Sequence, residues 1–250
     1  MTKILTLTAP TNMKLLADEI KNVGKDGGVL VIREGSRLFD KGHWAKFLSE
    51  ECGLNLDTRQ YNLSEKIEHA QWWEISYQPD KQTVYAHSNT RHPLHNDNSW
   101  FSDPAEINFF VMEKQASAGG EQSIYPLERL ILDLGEDDPA LLRDLQSVEV
   151  TIQKGDGEYF HKTPIIRMRP EPNIFWNYYR TIKSDPGIKR LCDAFFAYLE
   201  KRETSSSVEF IQCRSGDCLC FHDQKVLHGR TAFTASQPFE RMLFQSMWKL

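Results

Sequence analysis

Eight histidines occur in this 250-residue chain, at positions 43, 69, 87, 92, 95, 161, 222 and 228. Two of them stand among other groups that bind metals. In the run His92-Pro93-Leu94-His95-Asn96-Asp97-Asn98-Ser99-Trp100, an extended backbone turns residues i and i+2 to one face. His95 and Asp97 then offer an imidazole and a carboxylate to a single cavity. Taken alone, such a pair also suits a polar surface strand. A second segment, Ser215 to Arg230, reads as turn, strand, turn and then His228-Gly229-Arg230, with Arg241 opening a later strand-like run. His95, Asp97 and His228 together supply two imidazoles and one carboxylate. On one face of a metal that set leaves three positions open, which is the donor arrangement of non-haem Fe(II) oxygenases.

Other chemistries find less support. No GxxxxGK[ST] or GxGxxG occurs, and Gly155-Asp156-Gly157 lacks the rest of either pattern, so nucleotide chemistry is not indicated. Cys213, Cys218 and Cys220 have no CxxC spacing. They read as buried thiols rather than a zinc cluster.

The ordered fragments resemble the taurine dioxygenase-like (clavaminate synthase-like), Fe(II)- and 2-oxoglutarate-dependent oxygenases. His95-Asn96-Asp97 stands for that family's HxD, and Gly119-Gly120-Glu121 for its Gly-Gly-acidic element. Gly216-Asp217 through Asp223 to His228-Gly229-Arg230 matches the closing GD...DN...HGR element, and Arg241 matches the C-terminal arginine. The resemblance spans residues 85 to 250, and in length the chain is nearest to carbapenem synthase-like members. Two positions depart from the pattern. Gln122, followed by Ser123, replaces the Thr that many relatives use to touch the cosubstrate, and Gln224 replaces an Asn.

The resemblance implies a double-stranded β-helix, the cupin-like jelly roll, with flanking helices. It implies Fe(II) held by His95, Asp97 and His228, with 2-oxoglutarate and O2 as cosubstrates and succinate and CO2 as products. The expected outcome is oxidation, by default hydroxylation, of a C–H bond in a small polar metabolite such as an amino acid or biosynthetic intermediate. Halogenation is disfavoured because Asp97 is retained. Arg241 is expected on the distal carboxylate of 2-oxoglutarate, since a guanidinium can pair with it bidentately in a dry pocket. Arg230 competes for that role or forms a structural ion pair. Gln122 and Ser123 either donate to the cosubstrate or stabilise their loop. Arg91, Asn98 and Trp176 are the candidates on the substrate side. The alternatives for them are a solvated arginine, a loop-orienting asparagine and a packed aromatic. His87, His92 and His222 are either partners of the ligands or bystanders. Two rival readings are a non-catalytic cupin-like metal- or 2-oxoglutarate-binding sensor and a non-redox metal hydrolase.

These residues need a scaffold that holds strands from distant parts of the chain side by side. The length suits one domain over 1–250, and no repeat or Pro/Gly/Ser-rich linker divides it. Hydrophobic residues make up 40%, enough for a sizeable core. A net charge of −5 with no basic block argues against nucleic acid and anionic membrane as partners. No run reaches 18 uncharged apolar residues, and five cysteines without repeated spacing suit a reducing cytoplasm. The spacing predicts helices through Leu15–Val23 with Gly24 as C-cap, around Trp44–Leu48, after Asp138-Pro139, and from Asp185-Pro186 to Leu199. Strands are predicted at Val29–Ile32, Ile107–Met112, Val148–Ile152, Ile165–Met168, Val208–Ile211, Cys218–Phe221 and Met242–Trp248. Many short strands with few crossover helices favour a sandwich or jelly roll over a parallel sheet.

Overall fold

The computed structural model describes residues 4–8 and 12–250. The chain begins with β1 (Ile4–Thr8), α1 (Met13–Asp26), β2 (Val29–Arg33), α2 (Gly35–Leu38) and α3 (Lys41–Glu50). Short strands follow: β3 (Asn55–Asp57), β4 (Arg59–Tyr61), β5 (Ile67–His69), β6 (Trp73–Ser76) and β7 (His92–His95), then the longer β8 (Ile107–Lys114) and β9 (Gln122–Pro126). After α4 (Leu127–Asp137) and α5 (Pro139–Ser147) come β10 (Glu149–Lys154), β11 (Tyr159–Pro164), β12 (Ile166–Arg167) and β13 (Asn173–Ile174). The last elements are α6 (Pro186–Arg202), β14 (Glu209–Ile211), β15 (Cys218–His222), β16 (Val226–Arg230) and β17 (Met242–Lys249). The protein is thus mostly β, with six helices among the described residues.

Two sheets carry the architecture. The larger has the order β1-β2-β15-β8-β17-β3, with β6 also paired to β17; only its β1–β2 pair is parallel. The smaller runs β14-β9-β16-β7 and is antiparallel throughout. Val29, Phe110, Leu219 and Phe221 of the large sheet share one buried cluster with Ile124, Ile211 and Val226 of the small one. On its other face the large sheet meets α1 and α3, where Leu30, Phe109, Val111 and Cys220 pack with Leu16, Ile20, Trp44 and Leu48. Alternate residues of β2, β8 and β15 therefore enter different cores. Strands buried on both faces read as continuous apolar runs, which is why these three were visible as short apolar segments. A third cluster gathers α4, α5 and α6 against β10, β12 and β13.

Local signals explain most helix limits. Asn12 accepts from the Lys14 amide (2.9 Å) at the start of α1, Asp138 from Leu141 (2.9 Å) at α5, and Asp185 from Gly187 and Ile188 (2.7 and 2.9 Å) at α6. The end of α1 differs from expectation. Gly24 stays helical and buried, and Gly27, at φ 72°, is the cap. Helix α4 was not anticipated: Pro126 precedes it and supplies no side-chain cap. Nor were β1, β3 to β6, β9, β11, β13 and β16, most of them short or mixed in polarity.

Candidate metal centre and cavity

Strands β7 and β16 are neighbours in the small sheet, with His95 directly opposite His228. Their imidazole centroids lie 4.4 Å apart. Gly229 makes this pairing possible: a Cβ there would lie 2.7 Å from the His92 carbonyl oxygen and 2.8 Å from Ser123 Oγ. Asp97 arrives by another route than the expected strand alternation. β7 stops at His95, and the chain turns through Asn96 and Asn98, the latter at φ 50°. Buried Asn96 fixes the turn, donating to the Val226 carbonyl (2.9 Å) and accepting from the Trp176 amide (3.0 Å). Asp97 Oδ1 then lies 3.5 Å from His95 Nε2, and its Oδ2 3.4 Å from His228 Nε2. One donor atom from each of the three residues falls within 4.8 Å of the others.

The surroundings orient every donor. His95 Nδ1 is 2.8 Å from the Pro93 carbonyl oxygen, and His228 Nδ1 is 3.3 Å from Oδ1 of fully buried Asp223. Both Nε2 atoms are thereby left to face Asp97. Asp97 Oδ2 accepts from Asn108 Nδ2 on β8 (2.8 Å) and Gln245 Nε2 on β17 (2.7 Å), and Gln245 also donates to Asn108 Oδ1 (2.9 Å). The small sheet thus supplies the imidazoles, and the large sheet aims the carboxylate. Burial disfavours charge on His228, yet the Asp97 and Asp223 carboxylates outweigh it and raise its pKa to about 10. Burial likewise opposes charge on Asp97, but His228 and His95 hold it well below the usual carboxylate range. Burial pushes Asp223 up, with His228 pulling the other way. A divalent cation fits this set. It would replace the proton on His228 and satisfy the buried carboxylate.

The donors open into a cavity of about 930 Å³ whose wall also includes Gln122, Arg241, Arg230 and Lys154. Arg241 is 2% exposed. It donates through Nε to Gln115 Oε1 (3.1 Å) and lies over the Phe233 ring (5.3 Å), with no carboxylate paired to it among the described residues. In the amide orientation that satisfies both groups, Gln122 accepts from Arg241 Nη2 (3.0 Å) and donates to the Gly229 carbonyl (3.2 Å). Burial lowers the Arg241 pKa to about 10. The guanidinium stays charged at neutral pH, so the pocket holds a desolvated cation without its anion. Gly119 and Gly120, at φ 75° and 78°, carry the chain past it, where a Cβ on Gly120 would lie 3.1 Å from Arg241 Nε.

Residues 5–247 match the model of the family described as taurine catabolism dioxygenase TauD, TfdA. The chain belongs to the TauD/TfdA family. It is accordingly an oxygenase of the non-haem iron, 2-oxoglutarate-dependent class. No curated protein matches it. Among solved structures, an asparagine oxygenase in complex with Fe(II), 3-hydroxyasparagine and succinate shares 15% identity at a TM-score of 0.72, covering 94% of this chain and 79% of that one. The non-haem iron oxygenase OrfP, in complex with Fe and α-ketoglutaric acid, shares 13% identity at 0.67, covering 94% and 79%. PvcB from Pseudomonas aeruginosa shares 18% identity at 0.67, covering 98% and 85%. At these identities the likeness is one of fold.

Within this TauD/TfdA chain, several sequence candidates lie elsewhere than expected. Arg91 is off the cavity wall, ion-paired to Glu200 of α6 and to Glu203 just after it. Trp176 is fully buried, packed on Phe195 at 4.8 Å, and does not line the cavity. Asn98 is also buried away from it, donating to Met247 Sδ (2.9 Å). The substrate-side expectation for these three is therefore corrected: two are packing residues and one is a salt-bridged arginine. Ser123 is buried behind the wall and donates to Glu203 Oε1 (3.4 Å), which leaves Gln122 as the residue of that pair beside Arg241. Arg230 reaches the wall, but its Nη2 donates to the carbonyl oxygens of Tyr85 (3.4 Å), Ser88 (2.9 Å) and Thr90 (2.6 Å). In place of the cosubstrate contact or the ion pair expected of it, Arg230 ties the 85–90 segment to the strand carrying His228. His92 stacks between His95 (4.0 Å) and Tyr85 (5.0 Å), His87 Nδ1 is 2.9 Å from the Ser76 carbonyl oxygen, and His222 is buried on β15. Sequence reasoning missed Asn108 and Gln245, which follow no motif and lie on strands remote in sequence from Asp97. It also passed over Lys154 and Glu65, whereas the Trp176–Arg180 stretch, read as an aromatic patch that lines the pocket or packs, does place Asn177, Tyr178, Tyr179 and Arg180 on the wall. Asp223 was visible as part of the closing element.

Proposed function

We propose that this protein hydroxylates a C–H bond of a small polar metabolite of the amino-acid class, using Fe(II) held by His95, Asp97 and His228 and 2-oxoglutarate held by Arg241 and Gln122. The observation that carries the reading is the combination of two imidazoles and one carboxylate at one end of the cavity with a buried, unpaired guanidinium on its wall. The substrate class rests on two neighbours of like fold, named for asparagine oxygenation and for complexes with hydroxylated arginine. When bound, iron and 2-oxoglutarate supply the oxidising power and release succinate and CO2. The chain's own residues position and exclude. Asn108 and Gln245 fix Asp97, Asp223 and the Pro93 carbonyl fix the imidazoles, and Arg241 offers two parallel N–H donors to a carboxylate. We further propose that the two facing sheets form a double-stranded β-helix and that residues 1–250 are one oxygenase domain. Five free, buried cysteines support a reducing, cytoplasmic setting.

The test is anaerobic titration of metal-free protein with Fe(II) and 2-oxoglutarate, followed by the weak visible charge-transfer absorption of the chelate. The wild type should give the band, His228→Ala should lose it, and Arg241→Ala should need far more 2-oxoglutarate. Absence of the band at saturating ligand overturns the assignment. A band without 2-oxoglutarate consumption in air, across a panel of amino acids, would instead favour a non-catalytic binding module.

A further inference from the structure

The cavity holds a second cation that none of these roles uses. Lys154 ends β10, just before the tight turn through Gly155 and Gly157 into β11. Its Nζ lies 4.6 Å from the ring centroid of Trp100 and 5.5 Å from that of Tyr61, on the wall that also bears His95 and Asp97. No carboxylate or hydrogen-bond acceptor among the described residues meets it. Burial, with help from the nearby Arg180 charge, lowers its pKa to about 8, and Asp97 and Glu65 only partly oppose this.

The other cations around the cavity are accounted for. Arg180 is paired with Glu65 at 2.6 Å. Arg230 spends its Nη donors on three backbone carbonyls, which leaves only its buried Nε without a partner. Arg241 lies beside Gln122. Lys154 alone among them has neither partner nor assigned ligand. The two aromatic faces steady an ammonium by attraction to their π-clouds but offer it no acceptor, so its N–H donors are directed to whatever enters the cavity. A carboxylate is the group that complements a half-buried ammonium with open donors.

Resting on the function proposed above, we infer that Lys154 binds the carboxylate of the prime substrate, so that the cavity selects a free amino acid over its uncharged carboxamide. Lys154 is then a specificity-determining residue that touches substrate at a distance from the reacting carbon. An interaction of this kind, present in the complex and absent from the amide's, discriminates by about 10- to 100-fold.

The experiment uses full-length protein loaded with Mn(II), a redox-quiet stand-in for iron, and saturated with 2-oxoglutarate. The twenty free L-amino acids and their α-carboxamides are titrated against tryptophan fluorescence, which Trp100 makes sensitive to events at Lys154. Wild type should bind at least one free amino acid about 10- to 100-fold more tightly than its carboxamide. Lys154→Met should weaken the acid by that factor, leave the amide unchanged and bring the preference close to unity, while Lys154→Arg should keep most of it. Thermal melting and 2-oxoglutarate affinity equal to wild type show that each variant is folded. An undiminished preference in Lys154→Met, or no free amino acid bound by a wild type that does bind 2-oxoglutarate, overturns the inference alone. Failure of the Fe(II) and 2-oxoglutarate titration overturns the underlying function and this inference with it.

Discussion

Replacing Arg241 with methionine separates a cosubstrate-binding arginine from a structural one. In the ligand-free protein, burial lowers the guanidinium from 12.5 to about 10, which corresponds to roughly 3 kcal/mol of desolvation held in the fold. Methionine removes that penalty. It also removes the hydrogen bonds to Gln115 and Gln122, roughly 1 kcal/mol each, and a contact with Phe233 worth about 0.5–1 kcal/mol. The opposing effects cancel to within about 1 kcal/mol, so ligand-free Arg241→Met should melt within about 2–4 °C of wild type. Binding behaves differently. Losing a charge-assisted pair to a carboxylate, roughly 3 kcal/mol, raises the 2-oxoglutarate Kd by about 150-fold. At 100 times the wild-type Kd, the ligand should add about 2.7 kcal/mol and raise the wild-type Tm by roughly 5–11 °C. In the variant the same concentration should add only about 0.3 kcal/mol, a shift of about 1 °C. Melting curves on Mn(II)-loaded protein with and without 2-oxoglutarate check both parts. A variant that keeps most of the ligand-induced shift would refute the cosubstrate assignment. A drop of more than about 10 °C without ligand would show that the fold needs this arginine.

Asn108→Ala removes one of two amides that hold Asp97 Oδ2, and Mn(II) affinity measured by calorimetry should fall about 10- to 100-fold. Gly229→Ala forces a Cβ against the His92 carbonyl and Ser123 Oγ. It should lower stability by about 1–3 kcal/mol in urea titrations and weaken metal binding at the same time. Burial lowers the His222 pKa from 6.5 to about 3. Between those values the unfolded chain takes up a proton that the folded one refuses, so this histidine's contribution is complete above pH 6.5 and is lost as pH falls toward 3. His222→Leu should reduce the slope of unfolding free energy against pH by up to about 1.4 kcal/mol per unit between pH 6 and 4.

The candidate metal ligands were legible because their chemistry is compressed into two short segments, His95 to Asp97 and His228 to Arg230. The reason they meet was less so. Strand alternation suggested how Asp97 joins His95, yet a turn fixed by Asn96 does the work, through bonds to backbone more than seventy residues away. Strands such as β8 and β15 stood out because both faces are buried. By contrast β4, β5 and β6 are short and partly exposed, and they carry no apolar run to betray them. Arg91 and Trp176 were misplaced for a common reason. Nearness in sequence to a motif does not say which side of a strand or loop faces the cavity, and each side chain instead finds its partner on α6. Lys154 was silent in sequence, since one lysine before a Gly-Asp-Gly turn resembles any hairpin tip.

The hairpins β4–β5 and β10–β11 are two-stranded units outside both main sheets, and they bring Glu65 and Lys154 to the cavity wall. They also interlock: a Cβ on Gly155 would lie 2.5 Å from Tyr61 Cε1 and 2.9 Å from the Glu65 carbonyl oxygen. Neither hairpin shares a backbone ladder with the strands bearing His95 and His228. For anyone redesigning this oxygenase, the two form a cassette to be exchanged as a pair, since a graft of either alone meets its neighbour's backbone before it meets His95 or His228.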